Sequence, residues 1–421
     1  MIQKSDIERL RKLAYNLKDI SENEINNKTK ELWTNMNDLV PTRPLIHVRD
    51  YPLYMLEYED ELTTTINDPF LATIEQKLLL QIYEWNHLKS DRVVEPYIEC
   101  DVVFSDSGFG IESDKPIVTN AKKSQFITSV EYKQQIFSSD DIEKIEYAKI
   151  SYDSDETLKR LNMLKEIFKE ILPVRLFGRS QFNCTPLDDI MTFTGIEQGM
   201  LFLALEKDLM HSLIERYIDV QIDRIKQYEK LGILSSNNAF KNIGNNCIGY
   251  SSEIPAPTES GIGAKISHIW GENSDQIMTC VSKEMSEEFS FCHEQRWASM
   301  FPLYSYGCCE RLDNKAASLL SYFPNIRKIS SSPYSNLESM LQQLERNVVV
   351  SFKPNSNYLS LGSNADFDYL KNEIIEVCRL VEKYQANVVI NMKTLITLQD
   401  EPWRLWKWCD MAQEIVNAYF S

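Results

Sequence analysis

Cys308 and Cys309 are adjacent, Glu310 follows them directly, and Tyr304 and Tyr306 precede them in the stretch "YSYGCCERLDNK". A thiol is a soft metal ligand and, once deprotonated, a strong nucleophile. A carboxyl group beside it can complete a metal site or move a proton. A plainer reading stands next to this one, because unpaired cysteine is among the most frequently buried residue types and fills apolar cores. Adjacent residues on an extended strand point to opposite faces. Both sulfurs can therefore serve one metal only where the strand has already turned. Further on, Lys353 ends the run "NVVVSFK", and Asn391 with Lys393 ends "ANVVINMK". A lysine there either snorkels from a rim or neutralises an anionic ligand. Glu288 follows the apolar run "QIMTCV" and is a further acid candidate. In "FCHEQRW", Cys292 and His293 are too close in sequence to share a metal, and His293 reads as a hydrogen-bonded histidine.

The elements that must hold these residues are legible as a pattern. From about residue 151 onward, short strands that are apolar on both faces alternate with amphipathic helices: "LYSYGCC", "IRKISSS", "NVVVSFK" and "ANVVINMK" are each followed by a helical stretch. That alternation predicts βα units around a parallel sheet. No glycine-rich phosphate turn follows any of these strands, which favours a (β/α)8 barrel over an open doubly wound sheet. Strand ends on the C-terminal side of such a barrel line its active face. Cys308, Cys309, Glu310, Lys353, Asn391 and Lys393 would then meet at one mouth. "VRLFG" (174–178) and "DQIMTCVS" (275–282) read as further buried strands. Residues 1–92 read as a helical segment packed on the barrel, 93–150 as a strand-rich excursion and 151–421 as the barrel itself. A long helical region is predicted over 187–231, and the loop at 236–263 is long enough to line or cover the site.

The chain has 421 residues, 43% of them hydrophobic, and a net charge of -17, so its surface repels nucleic acid. No apolar run is long enough to span a bilayer, the charged N-terminus lacks a signal-peptide core, and nine scattered cysteines fit reduced thiols. The expectation is a cytoplasmic protein without nucleic-acid or membrane partners. Its oligomeric state is left open.

Taken together, "ELWTNMNDLVPTRPLIHVRDYPLY" (31–54), "CIGYSSEIPAP" (247–257), "MSEEF" (285–289), "YGCCERLDNK" (306–315), "IRKISSSPYSNLE" (326–338), "SFKPN" (351–355) and "NMKTLITLQDEPWRLWKW" (391–408) resemble the uroporphyrinogen decarboxylase superfamily. The closer likeness is to its corrinoid-dependent methyltransferase branch, the group labelled trimethylamine corrinoid protein 2. The resemblance implies a barrel that moves a methyl group between a small methylated compound and a corrinoid (cobalamin) carried by a partner protein, with zinc activating a thiol or polarising a donor. The zinc-binding members carry His-x-Cys where this chain has Tyr306-Gly307-Cys308, and a late cysteine where it has Asn391, Met392 and Lys393. A metal site would draw on Cys308, Cys309 and Glu288. Catalytic candidates are Glu288, Glu310 and Lys393; substrate-binding candidates are Tyr306, Lys353, Asn391 and Arg43. The alternative is a barrel without methyl transfer, acting as a decarboxylase-like lyase or a binding protein.

Overall fold

The computed structural model describes residues 3–111, 132–362 and 365–420. Eleven strands are present among them: β1 Leu45–Val48, β2 Ile98–Asp101, β3 Val103–Asp106, β4 Ile150–Asp153, β5 Val174–Phe177, β6 Asn183–Cys184, β7 Trp270–Asn273, β8 Leu303–Tyr306, β9 Ile326–Ser331, β10 Val349–Phe352 and β11 Asn387–Met392. Seven form one sheet in the order β1-β11-β10-β9-β8-β7-β6. Every pairing in it is parallel. The first strand of the chain lies beside the last, as in a βα ring. The predicted closed ring of eight appears as seven paired strands. Beyond them an isolated parallel bridge joins Arg179 to Leu234, and the Asn237 amide donates to the carbonyls of Ser180 and Trp270.

Helices cover the outer face. Cys292–Ala298, Ala316–Tyr322, Leu337–Leu344 and Phe367–Tyr384 join successive strands from β7 to β11, and Trp403–Tyr419 follows β11. Outward residues of the strands, among them Ile46, Tyr304, Ile329, Val350 and Ile390, are buried in the main apolar cluster. Burying such residues stabilises by about 25 cal/mol per Å2 of apolar surface. A second cluster joins the helices Lys4–Ser21, Pro69–His87 and Ser154–Phe168 to β2 and β5.

Several expectations are corrected here. "VRLFG" is a strand, but β5 pairs with β2 in a separate two-stranded sheet. "DQIMTCVS" is not a strand: residues Gln276–Cys280 form a 3-10 turn, and the sheet strand is β7, six residues earlier. The helical region is three helices, Pro186–Thr194, Ile196–Leu205 and Lys207–Lys230, with Gly195 at φ 75° between the first two. Because β1 is a stave of the main sheet, the sheet is not confined to 151–421. The excursion at 93–150 contains β2, β3 and the first residue of β4; its residues 112–131 lie outside the described residues.

The inner face of the sheet has two textures. At the lower ends of the strands Leu45, Val349 and Val389 pack with Trp33 and Met36 of the helix Glu24–Asn37. Above them the inner face turns polar, with His47, Glu272, Ser305, Lys328, Ser351 and Asn391 all buried. Barrel interiors are ordinarily filled by branched apolar side chains. Here the loop at 237–250 fills the space instead. Its backbone supplies the partners: Lys328 donates to Ile248 O, Asn391 to Asn246 O at 3.4 Å, and Arg49 to Asn246 O at 3.1 Å. Asn246 returns a bond, its amide donating to Ser305 Oγ at 2.7 Å. Polar strand residues and loop carbonyls partner one another, the usual fate of buried polar groups, although Asn246 Oδ1 and Asn391 Oδ1 have no partner among the described residues.

Candidate active site at the strand ends

At the end of β8 the chain turns sharply. Gly307 sits at φ 97°, and a Cβ there would lie 2.6 Å from Leu312 Cδ1 and 2.9 Å from Ser330 Cβ. Both the dihedral angle and the space call for glycine. The turn brings the two sulfurs to the same side, with Cys308 Sγ and Cys309 Sγ 3.5 Å apart. Cys308 is buried and Cys309 exposed. Glu310 folds back under the turn and accepts the Cys308 backbone N–H at 2.7 Å.

Two lysines from neighbouring strand ends reach the same turn. Lys353, after β10, donates to Cys308 O and to Ser330 Oγ. Lys393, after β11, lies 3.3 Å from Cys308 Sγ, donates to Asn245 Oδ1 at 2.7 Å, and is 3.6 Å from Asp50. Both ammonium groups belong to buried residues. Burial lowers Lys353 to about 8, against the pull of Cys308. Burial also raises Glu310 to about 7, with the neighbouring Cys308 adding to the shift. In the thiol pair, the hydrogen bond from Cys308 brings Cys309 down to about 6, helped by Lys353 and Lys393. The same hydrogen bond, followed by burial, pushes Cys308 up. One sulfur of the pair is thus ready to ionise while the other keeps its proton.

Glu272 on β7 joins this region and was not visible as a site residue in the sequence. Burial raises it to about 7, and Arg49 and Lys393 act against that rise. It supports the loop: a Cβ at Gly244 would lie 1.0 Å from its Oε2, so only glycine fits over it. The signal that could have found it is the register of β7, since Glu272 pairs with Ser305 on the inner face of β8. Among the described residues, Glu272 Oε1 and Glu310 Oε1 are buried without a hydrogen-bond partner.

The structure thus brings together Cys308, Cys309, Glu310, Lys353 and Lys393. Asn391 is close by, but its amide is spent on Asn246 O and Ser351 Oγ, so it positions the loop. Three candidates lie elsewhere. Tyr306 points to the outer face, where its ring stacks on Phe323 and its hydroxyl meets Ser290 Oγ at 3.1 Å; alternation along β8 turns Ser305 inward instead. Glu288 sits on the helical stretch after the turn at Gln276–Cys280 and pairs with Lys207 at 2.8 Å. Arg43 precedes β1, at the opposite end of the sheet, and is held by both oxygens of Asp91 at 2.6 and 3.1 Å.

These positions decide whether zinc fits. Structural and catalytic zinc sites need at least three protein ligands in tetrahedral geometry. Among the described residues no three His, Cys, Asp or Glu side chains come together to hold a metal. Glu288 is absent from the site, Glu310 is tied to the Cys308 N–H, and an ammonium group stands 3.3 Å from one sulfur. The donor set does not fit zinc.

A cavity of about 470 Å3 opens at the β1 edge of the sheet, lined by His47, Arg49, Tyr51, Glu84, Arg92 and Phe240 among others. His47 is held near 3 by burial, so it is a neutral hydrogen-bonding group there. Residues 242–246 of the loop separate this cavity from the thiols: Asn242 bonds His47 on one side, and Asn245 bonds Lys393 on the other.

No family model matches the chain, and no curated protein matches its sequence. Among solved structures it is similar to a methyltransferase from Methanosarcina mazei, with a TM-score of 0.50 at 8% identity, over 93% of this chain and 99% of the other. The two share a fold. At that identity the likeness concerns the α/β scaffold, a mostly parallel sheet under helices, and leaves the chemistry to be argued from the residues. Among the described residues no helix is long and apolar enough to cross a membrane.

Proposed function

We propose that this chain moves a methyl group between a small methylated compound and a corrinoid carried by a partner protein, with the rim of the strand ends as the reacting site. The observation that carries this reading is the convergence of an exposed and a buried thiol, a near-neutral carboxyl and two buried lysines from the ends of β8, β10 and β11. The shared fold with a methyltransferase supports the scaffold half of the reading.

A bound corrinoid supplies a cobalt centre that gives up or takes the methyl group. The chain's own residues supply protons and orientation. Glu310, near 7, is matched to giving a proton to a leaving amine or oxygen, or to taking one from a thiol acceptor. Lys393 favours negative charge at the pair, and Cys309 is the exposed group that an arriving substrate meets. Lys353 fixes the Cys308 carbonyl and is a positioning residue. The reading requires no protein-held zinc. A lyase acting on carboxylated substrates is less well supported, because Arg43 is committed to Asp91 and Arg49 to loop carbonyls.

The test is a methyl-transfer assay with cob(I)alamin as the corrinoid probe and a panel of methanol, methylated amines and methyl thioethers, read as methylcobalamin absorbance. One donor should react, and Glu310→Gln should lower kcat by about 100-fold. No methylcobalamin from any donor, or full activity in both Glu310→Gln and the double Cys308→Ser/Cys309→Ser variant, would overturn it.

A further inference from the structure

The arrangement of the two sulfurs has a consequence that methyl transfer does not use. We propose that Cys308 and Cys309 close into a reversible disulfide, making this strand end a redox modification site that switches the rim off. That it switches the rim off rests on the function proposed above; that the disulfide forms does not.

The sulfurs are 3.5 Å apart and hydrogen-bonded to each other, and the turn at Gly307 has already swung both to one side. They are also unequal. Cys309 is exposed and open to a dissolved oxidant, whereas Cys308 is buried and reachable only by its neighbour. That is the arrangement of an attacking and a resolving thiol. Of the other cysteines, Cys100, Cys184, Cys247, Cys378 and Cys409 are buried, while Cys280 and Cys292 are exposed.

The oxidant class is a low-molecular-weight disulfide. The Cys309 thiolate attacks one of its sulfurs, forming a mixed disulfide and releasing one thiolate. The Cys308 sulfur then displaces the second thiolate from Cys309, and the Cys308 proton passes to that departing thiolate. Two protein thiols are oxidised to one disulfide while the reagent is reduced to two thiols. Adjacent Cα atoms are about 3.8 Å apart, closer than most bridged pairs. The resulting small ring is accordingly strained and easily reduced, which suits a reversible switch. Closing it removes the free sulfur from beside Lys393 and the exposed thiol from the rim.

The experiment incubates the full chain with glutathione disulfide near neutral pH, then alkylates and measures intact and peptide masses, with methyl transfer assayed in parallel. The expected product resists two alkylations, maps to the peptide holding both cysteines, and is reversed by dithiothreitol. Cys308→Ser should instead stop at a stable glutathione adduct on Cys309, and Cys309→Ser should give no adduct at this site. Unchanged alkylation, or a bridge from Cys309 to Cys280, would overturn the disulfide. Full methyl transfer by the oxidised form would overturn the switch. If the reduced chain shows no methyl transfer at all, the function proposed above fails, and the masses still decide the disulfide.

Discussion

Two regions of the same inner surface, a few residues apart along each strand, meet opposite fates. In the middle of the sheet, Lys328, Ser305 and Asn391 are buried polar groups whose bonds go to the loop at 237–250. At the strand ends Cys308, Glu310 and Lys393 are buried as well, but the turn after β8 leaves the Cys309 sulfur exposed beside Cys308 Sγ. Polar residues on inner strands therefore do not identify a site by themselves. What separates the regions is whether the loop at 237–250 covers the polar groups. Where it does, the residues hold a loop in place; where it does not, they are available for reaction.

The sharpest way to break the contrast is to remove the loop's fit. Gly244→Ala places a Cβ on Glu272 at a positive φ of 52°, and Asn246→Leu leaves Ser305 and the Tyr306 carbonyl without their donor. Each should cost about 2–4 kcal/mol of stability, seen as a lower urea midpoint. A loss below about 0.5 kcal/mol in both would mean that the loop does not support the sheet from within.

A second test separates the regions by pH. Glu272 and Glu310 have folded pKa values raised from 4.5 to about 7, so the folded chain holds protons that the unfolded chain has released. Their contribution to stability is complete below the unfolded value and is lost as pH rises through about 7. Glu310→Gln should reduce that fall between pH 5 and 7 by roughly 1 kcal/mol per pH unit, measured by urea unfolding at several pH values. An unchanged slope would show Glu310 to be an ordinary solvated carboxylate.

How much of this was legible in the sequence depended on where polar residues sat. Apolar strands such as "NVVVSF" and "NVVINM" stand out, and Lys353 and Lys393 could be placed at their ends by position alone. β7, "WGEN", carries a glycine and two polar residues because its inner side faces a loop rather than hydrocarbon, so the neighbouring "DQIMTCVS" looked more like a strand. That displacement put Glu288 at a strand end and hid Glu272. Tyr306 was misplaced for a different reason: the period-two alternation of "LYSY" turns the serine inward and the tyrosine out, which its place in a motif obscured. The inward course of 237–250 had no local signal, since it depends on bonds to residues far away in sequence.

The smallest effect belongs to the candidate that the fold carries away. Glu288 is 39% exposed and paired with Lys207, so Glu288→Gln should change stability by less than about 1 kcal/mol. It should leave both methyl transfer and thiol reactivity at the rim unchanged. A loss of methyl transfer in this variant would extend the site to the outer helices and blur the contrast between the two regions.

Cys309 is the exposed reacting group at the rim, and the pH dependence of its alkylation by iodoacetamide, followed by peptide mass, measures its reactivity. The rate should be half-maximal near pH 6 in the native chain and shift upward in Lys393→Met. A half-maximal rate at the ordinary thiol value of about 8.5, unmoved by Lys393→Met, would contradict that role.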